Sequence, residues 1–481
     1  MIPVIPVLMN TAEDCQDLVV PINREQLLSV DFNIGIVRSL KDQICDYVSN
    51  LISLDPALIE ILATYPTNST SACREMVLNK LIVKGKLTCS LLQLIAEGGM
   101  INIDLSGANF SKVCGMEAVV YAVASVKTEK LILRNFTPSE HTSVFSYLSS
   151  PTRNEEPTQW TSLTHLDIRD CHHLHDSDIN GIAGTFSNLK VLYLKGCTGL
   201  SGDAMIPICR AQQLQDGLLC LDVSHNEISA VTMSQLPLLT GLTVLYASRI
   251  LSEASVSFHG CGVTELDISG SASFTDEDIC ISLVNHLKTL LDLNLAETRI
   301  SSPTIIASFH AASFQLYSQA DNSATAKFAD GATGGDEYFT EAAADCCEIR
   351  GKTSSQKEIS YMPLRSLDLS WCEEVTGPDV AAIAAYCPSL TSLRLRSTAA
   401  DSACVVRLAS LCTALTELNL ARCCDINDEA ALALAANSSS LLSLDLSWSL
   451  ITDTGLDPLL RAHNRLQVKG YISGGLLGDS W

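Results

Sequence analysis

The chain has 481 residues, 47% hydrophobic and only 5% aromatic, with 54 acidic against 31 basic residues and a net charge of −23. So large a surplus of carboxylates excludes nucleic acid and anionic membrane surfaces as partners, because phosphate binding needs clustered lysine and arginine, and it points to a protein partner with a basic segment. No run of 18 apolar residues is present, so no membrane span is expected.

Nineteen cysteines would read as a disulfide framework in a short secreted chain, but the number is odd and the chain is long, so they are read as reduced core residues. No C-x-x-C spacing occurs, which leaves no metal site and no cofactor to predict. The opening Met1-Ile-Pro-Val-Ile-Pro-Val-Leu8 is apolar but carries two prolines and no basic residue, with Glu13 and Asp14 soon after. It does not read as a signal peptide, and the expected location is the cytoplasm.

Residues 1–98 carry no clear repeat. An amphipathic helix is predicted through Ile36, Leu40, Ile44, Val48, Leu51 and Ile52. A second helix is predicted from Asp55-Pro56 until Tyr65-Pro66 breaks it, and a third over Thr88 to Glu97, closed by Gly98-Gly99. This region is expected to be a helical N-terminal cap on the remainder of the chain.

From residue 99 onward a frame L-x-x-L-x-L recurs. Weak copies begin at Met100 and Thr128, and clear ones at Leu163, Leu189, Leu218, Leu242, Val263, Leu290, Leu364, Leu390, Leu415 and Leu441, most of them 24 to 29 residues apart. The alternating segment of each copy predicts a short strand. The stretch after it predicts a helix, as in the unit from Leu415, where Ile426-Asn-Asp428 is the turn and cap and Glu429 to Ala436 the helix. One strand and one helix cannot bury their own apolar faces, so the units must stack. The step from Leu290 to Leu364 is 74 residues, nearly three periods with no second frame inside. Pro303 to Gln319 is read there as a lengthened repeat helix, and residues 320–360 as an acidic, low-complexity insertion, with seven carboxylates and one lysine between Asp321 and Glu348. It is either a tolerated loop or a docking loop anchored by Tyr338-Phe339. Residues 464–481 are expected to be a C-terminal cap.

The period near 26, with Cys171, Cys197, Cys372 and Cys423 just after the strand, resembles the cysteine-containing leucine-rich repeats. So does the turn signature at Leu174-His-Asp176, Leu200-Ser-Gly202, Phe274-Thr-Asp276, Ile426-Asn-Asp428 and Ile451-Thr-Asp453. The resemblance covers about residues 99 to 470. It implies an α/β fold: a right-handed leucine-rich-repeat solenoid, or horseshoe, with a concave parallel sheet and convex helices. Val20-Pro-Ile-Asn-Arg-Glu-Gln-Leu-Leu28 is similar to the opening of an F-box, the module that precedes such repeats in ubiquitin-ligase receptors, but the later Cys and Trp of that module have no counterparts at matching positions.

Signatures of phosphate-binding loops, nucleophile elbows and zincin helices are absent, so no catalytic residue is expected. The densest polar cluster runs through His165, Asp167, Asp170, His172, His173, His175, Asp176 and Asp178 and reads as a solvated turn. Alternation sends the middle outward side chain of each strand, between the last two frame positions, to the open face: Asp167, Tyr193, Asp222, Tyr246, Asp267, Asn294, Asp368, Arg394, Asn419 and Asp445. With His165, Arg169 and Arg396, and with Trp371 and Trp448 in matching Leu-Asp-Leu-Ser-Trp frames, they form the candidate partner-binding set. Two readings of the carboxylates stand, a position where the repeat favours Asp or a stripe for a basic segment. Two also stand for the tryptophans, interface anchors or rings packed on the next turn. The function expected is a non-enzymatic scaffold or adaptor, a subunit of a larger complex. The alternatives are a substrate receptor of an SCF-type ubiquitin ligase and a structural subunit of a cytoskeletal or axonemal assembly.

Overall fold

The computed structural model describes residues 67–88, 100–108, 128–135, 162–250, 262–271, 286–318 and 361–472, with isolated positions between and after them. The helices predicted between Ile36 and Pro66, the F-box-like segment, and the insertion at 320–360 lie outside the described residues. The chain divides into two compact units, Met1–Glu129 and Lys130–Trp481.

In the first unit, helix α1 (Thr67–Val83) packs beside strand β1 (Asn102–Asp104). The Glu75 carboxylate accepts from the Asn102 backbone N–H at 3.2 Å and from its side-chain amide at 3.3 Å. Leu78, Leu81, Leu92, Ile95, Met100 and Ile103 are buried in this unit. The frame beginning at Met100 thus forms its strand, and Leu91, Leu92 and Ile95 of the segment read as a helix from Thr88 have helical backbone. Helix α1 was not among the elements expected, because its apolar positions do not fall on one stripe.

The second unit is a parallel sheet in which β2 (Lys130–Ile132), β3 (His165–Asp167), β4 (Val191–Tyr193), β5 (Cys220–Asp222), β6 (Val244–Tyr246), β7 (Glu265–Asp267), β8 (Asp292–Asn294), β9 (Ser366–Asp368), β10 (Ser392–Arg394), β11 (Glu417–Asn419), β12 (Ser443–Asp445) and β13 (Gln467–Lys469) stand in chain order. The register is the same at every step, Leu166 beside Leu192, Leu293 beside Leu367 and Leu418 beside Leu444. The long insertion therefore leaves the sheet unbroken at β8 and β9. Strand β13 extends the sheet into residues expected only to cap it, and Tyr471–Ile472 and Gly475–Leu476 add a small antiparallel pair.

Helices return the chain between strands: α2 (Asp176–Thr185), the short α3 (Ile206–Arg210), α4 (Gln212–Gln215) and α5 (Ala230–Gln235), then α6 (Ser302–Ser318), α7 (Gly377–Tyr386), α8 (Ser402–Leu411), α9 (Asp428–Asn437) and α10 (Asp453–Ala462). From α6 to α10 each packs on the next. Helix α6 has 17 residues where α7 to α10 have 10, the lengthening expected where the insertion departs. Between sheet and helices the frame leucines Leu163, Leu189, Leu218, Leu290, Leu364, Leu390 and Leu415 have no exposed surface, each burial being worth about 1.5–3 kcal/mol.

Polar contacts repeat with the same period. The post-strand thiols lie in the core and reach back one repeat: Cys171 Sγ to the Leu133 carbonyl at 3.1 Å, Cys197 to Ile168 at 3.2 Å, Cys372 to Leu295 at 3.2 Å and Cys423 to Leu395 at 3.0 Å. Asn226 replaces the thiol by an amide donating to Leu194 O at 2.9 Å. Burial pushes the Cys197 thiol up to about 12 and raises those of Cys372 and Cys423, so these three cysteines are neutral hydrogen-bond donors, and none of the three is in a disulfide.

The turn signature ties helix starts together. Asp176 accepts from Ser201 N at 2.9 Å and Ser201 Oγ at 2.5 Å, and Asp428 from Thr452 N at 2.7 Å and Thr452 Oγ1 at 2.6 Å. The second contact is possible because residue 455 is glycine; a Cβ there would lie 2.9 Å from the Asp428 Cα. Asp428→Ala removes both bonds and leaves the Thr452 N–H without its carboxylate, so it is expected to lower stability by about 1–2 kcal/mol in urea unfolding. An unchanged midpoint would mean that the clamp contributes nothing.

Candidate protein-interaction face

Each strand from β2 to β12 buries its central leucine and turns its first and third side chains to the open side of the sheet. The common register brings the expected third-position residues into one row, with Asp167 beside Tyr193, Tyr193 beside Asp222, Tyr246 beside Asp267, Asn294 beside Asp368, Arg394 beside Asn419 and Asn419 beside Asp445. They are not equally presented. Asp167 and Asp222 are buried, at 3% and 5% exposure, and the other members of the row are half-buried.

Local backbone chemistry explains the preference for Asp and Asn. One side-chain oxygen accepts the N–H two residues on: Asp222 from Ser224 at 3.0 Å, Asp267 from Ser269 at 2.9 Å, Asn294 from Ala296 at 3.0 Å, Asp368 from Ser370 at 2.9 Å, Asn419 from Ala421 at 3.0 Å and Asp445 from Ser447 at 3.0 Å. The side chain thereby holds the chain as it leaves the strand. Sequence reading left open a position where the repeat favours Asp or a stripe for a basic segment; the structure adds the contact these side chains make in the turn.

That turn is the second periodic feature. The third residue after each strand of the second unit up to β12 has positive φ: Asn135, Asp170, Gly196, His225, Arg249, Gly270, Glu297, Trp371, Ser397, Arg422 and Trp448, between 51° and 73°. Its N–H donates to the next repeat, as from Asp170 to Lys195 O, Trp371 to Arg396 O and Arg422 to Ser447 O, each at 2.7 Å. Hydrogen bonding between repeats therefore runs beyond the three-residue strands into the turns. Most of these side chains point to solvent along one rim, including Trp371 at 40% and Trp448 at 62% exposure. The Trp371 ring also lies against following turns, with the Arg396 and Arg422 guanidinium carbons 5.5 and 5.6 Å from its centroid.

The open face changes character along the sheet. At its start Asp167 is enclosed by arginine, accepting from Arg134 Nε at 2.8 Å, Arg169 Nε at 2.9 Å and Arg169 Nη2 at 2.7 Å, while the Arg169 guanidinium stacks 5.0 Å from the centre of Tyr193. Burial opposes ionisation of Asp167, but the hydrogen bonds and charges of Arg169 and Arg134 outweigh it and hold the carboxyl below its ordinary value. Burial pushes Tyr193 up to about 12 and raises Asp222 above the ordinary carboxylate range. Asp167 is thus a neutralised anchor rather than a carboxylate presented to a partner. His165 is half-buried, its Nδ1 2.7 Å from Thr164 Oγ1.

In the middle, Tyr246 donates to Glu265 at 2.5 Å, and a hollow of about 200 Å3 opens over β6 to β10, lined by Tyr246, Glu265, Asp267, Asp292, Asn294, Asp368 and Arg394 among others. It is smaller than ordinary small-molecule pockets and suits a side chain reaching in from a partner. Arg394 closes its far side, 2.9 Å from Glu417 and 4.0 Å from Asp368. Glu265, Asp292 and Arg134 were missed by sequence reading, which took only His165 from the column before the strand leucines. Reading the residue before each strand leucine as well finds the first two.

The histidine cluster disperses. His172 and His173 are exposed, with His172 Nδ1 3.1 Å from Thr198 Oγ1, and His175 begins α2, its N–H donating to Asp178 at 3.0 Å. Among the described residues no three His, Cys, Asp or Glu side chains are grouped to hold a metal ion, and no helix is long and apolar enough to cross a membrane.

The leucine-rich-repeat family model matches residues 362–384, 411–435 and 437–460, three units of this ladder, and the fold is that of an α/β leucine-rich-repeat solenoid. No curated protein matches it in sequence. Among solved structures it is similar to a chain of the Rad7 and Elc1 complex in yeast, with 16% identity, 91% of this chain and 83% of that chain covered, and a TM-score of 0.39. It is also similar to an internalin, inlF, from Listeria monocytogenes, at 14% identity over 82% of this chain and 83% of that one, TM-score 0.40. The plant peptide hormone receptor RGFR1, solved in complex with RGF2, matches at 15% identity over 66% of this chain and 48% of the receptor, TM-score 0.32.

The Asp167 network gives a pH signature. A carboxyl held low in the folded state contributes stability that is complete above its unfolded value and is lost as pH falls through its folded value. Asp167→Asn is expected to cost on the order of 1–2 kcal/mol at pH 7, discounted for the half-exposed Arg134, and the gap from wild type should close as pH falls below about 4. A gap independent of pH in urea titrations would remove the charge-based account.

Proposed function

We propose that this protein is a non-enzymatic scaffold that holds a protein partner against the open face of its repeat sheet, with a basic segment of the partner seated over β7 to β9. The observation that carries this reading is the hollow in which Glu265, Asp267, Asp292 and Asp368 converge beside Tyr246. Asp292 is exposed and the other three carboxylates are half-buried, and among the described residues Arg394 is the one cationic side chain lining the hollow. A lysine or arginine entering there gains charge-assisted hydrogen bonds at little desolvation cost, while the flanking leucine backbone stays fixed by the sheet.

The remaining residues of the predicted set divide by role in this reading. Asp267, Asn294, Asp368 and Tyr246 face the partner directly. Arg394 sets one edge, and His165, Asp167, Arg169 and Tyr193 set the other. Asn419 and Asp445 continue the row toward the C-terminal rim. Asp222, nearly buried, holds its own turn. Buried thiols that serve as hydrogen-bond donors, such as Cys197 and Cys423, suit a reducing compartment such as the cytoplasm. No described residue favours the ubiquitin-ligase or axonemal reading over a general scaffold, and membership of a larger complex follows from the scaffold role.

A fluorescent peptide alternating lysine with glycine is the direct probe. Glu265→Gln with Asp292→Asn should weaken its binding about tenfold at low salt, and raising the salt concentration should weaken wild-type binding. Binding equal to wild type in the double variant, with an unchanged circular dichroism spectrum, would move the partner site elsewhere.

A further inference from the structure

We propose that the rim turns carrying Trp371, Arg396 and Arg422 form a second docking surface, for a carboxylate-bearing segment of a protein partner, independent of the acidic hollow. Four arginines of the strand face and its rim meet carboxylates: Arg134 and Arg169 meet Asp167, Arg249 meets Glu297, and Arg394 meets Glu417. Arg396 and Arg422 meet none among the described residues. In a chain with 54 acidic residues, two arginines instead bracket one half-covered tryptophan ring, at 5.5 and 5.6 Å.

Two further features mark the place. Arg396 Nε and the neighbouring Ser397 Oγ are shielded from solvent and have no hydrogen-bond partner, so donor capacity is held in this turn without an internal acceptor. Trp371 and Arg422 occupy the positive-φ position at 65° and 61°, where two other repeats have Gly196 and Gly270. Bulky residues are disfavoured in that conformation, and strain of this kind persists where a side chain must be presented. Trp448 and Leu450, 62% and 64% exposed, extend the patch on the turn after β12.

The occupant is specified by charge and shape. A guanidinium fork takes a carboxylate side-on through two hydrogen bonds, and the adjoining indole takes an apolar side chain beside it. Glu373, Glu374 and Asp425 stand exposed on the same turns, so the two guanidiniums can each take a single carboxylate, while the surrounding carboxylates repel a dense run of charge or a dianionic phosphate. The expected partner is therefore a segment in which Asp or Glu alternates with aromatic residues.

The test uses the full chain and three fluorescent peptides of one length: Glu alternating with Phe, Gln alternating with Phe, and the first with phosphoserine for Glu. The Glu peptide should bind and perturb tryptophan fluorescence, and Arg396→Gln with Arg422→Gln should reduce its affinity at least about tenfold with the circular dichroism spectrum unchanged. Trp371→Phe should keep binding and lose most of the fluorescence change. Equal binding of the Glu and Gln peptides, tighter binding of the phosphoserine peptide, or full affinity in the double arginine variant would each overturn the assignment. Because Glu265 and Asp292 are intact in these variants, failure here leaves the lysine-peptide result of the acidic hollow untouched.

Discussion

Everything the second unit presents depends on one constraint: each repeat must meet the next through the same backbone hydrogen bonds, over three strand residues and onward into the turn. The bond from the positive-φ residue to the next repeat, as from Asp170 to Lys195 O and from Arg422 to Ser447 O, fixes the position and the direction of the side chains around it. Strands this short could not set a register alone. The Asx contact at the strand end, the thiol or amide reaching back one repeat, and the carboxylate clamp between helix starts each add a fixed point per repeat. Chemistry at one sequence position is thereby converted into a straight column in space.

Those columns explain why a repetitive chain can have a varied face. The buried columns are nearly uniform because every repeat fills the same space with leucine. The outward columns have no such restriction, and they run from an arginine-wrapped aspartate at β3, through the acidic hollow at β7 to β9, to arginine and tryptophan at the C-terminal rim. The insertion between β8 and β9 fits the same logic, since the pairing of Leu293 with Leu367 requires only that the chain return in register, whatever its length in between.

Much of this was legible in the sequence. The frame leucines gave the strands, the lengthened helix before the insertion and the row from Asp167 to Asp445, because apolar spacing is dictated by a backbone geometry that every repeat shares. The use made of each polar residue was less accessible. Asp167 and Asp445 occupy equivalent positions, yet one is enclosed by Arg134 and Arg169 and the other is not, and the Arg134 partnership spans 33 residues. The positive-φ column had a readable signal in Asn135, Asp170, Gly196 and Gly270, residues that tolerate that conformation. Trp371, Arg422 and Trp448 concealed it, being among the side chains least suited to the position. Strand β13 was missed because Val468 alone keeps an apolar residue of its frame, with Arg465 and Gly470 at the other two positions.

The strand face is the surface that a partner must cover if the acidic hollow is its seat. Zero-length carbodiimide crosslinking of the native assembly, read by mass spectrometry, tests this most directly, because it joins carboxylates only to amines already in contact. The predicted result is linkage of partner lysines to Glu265, Asp267 or Asp292. Linkage confined to carboxylates of the helical side, such as Glu429 and Asp457, would contradict it.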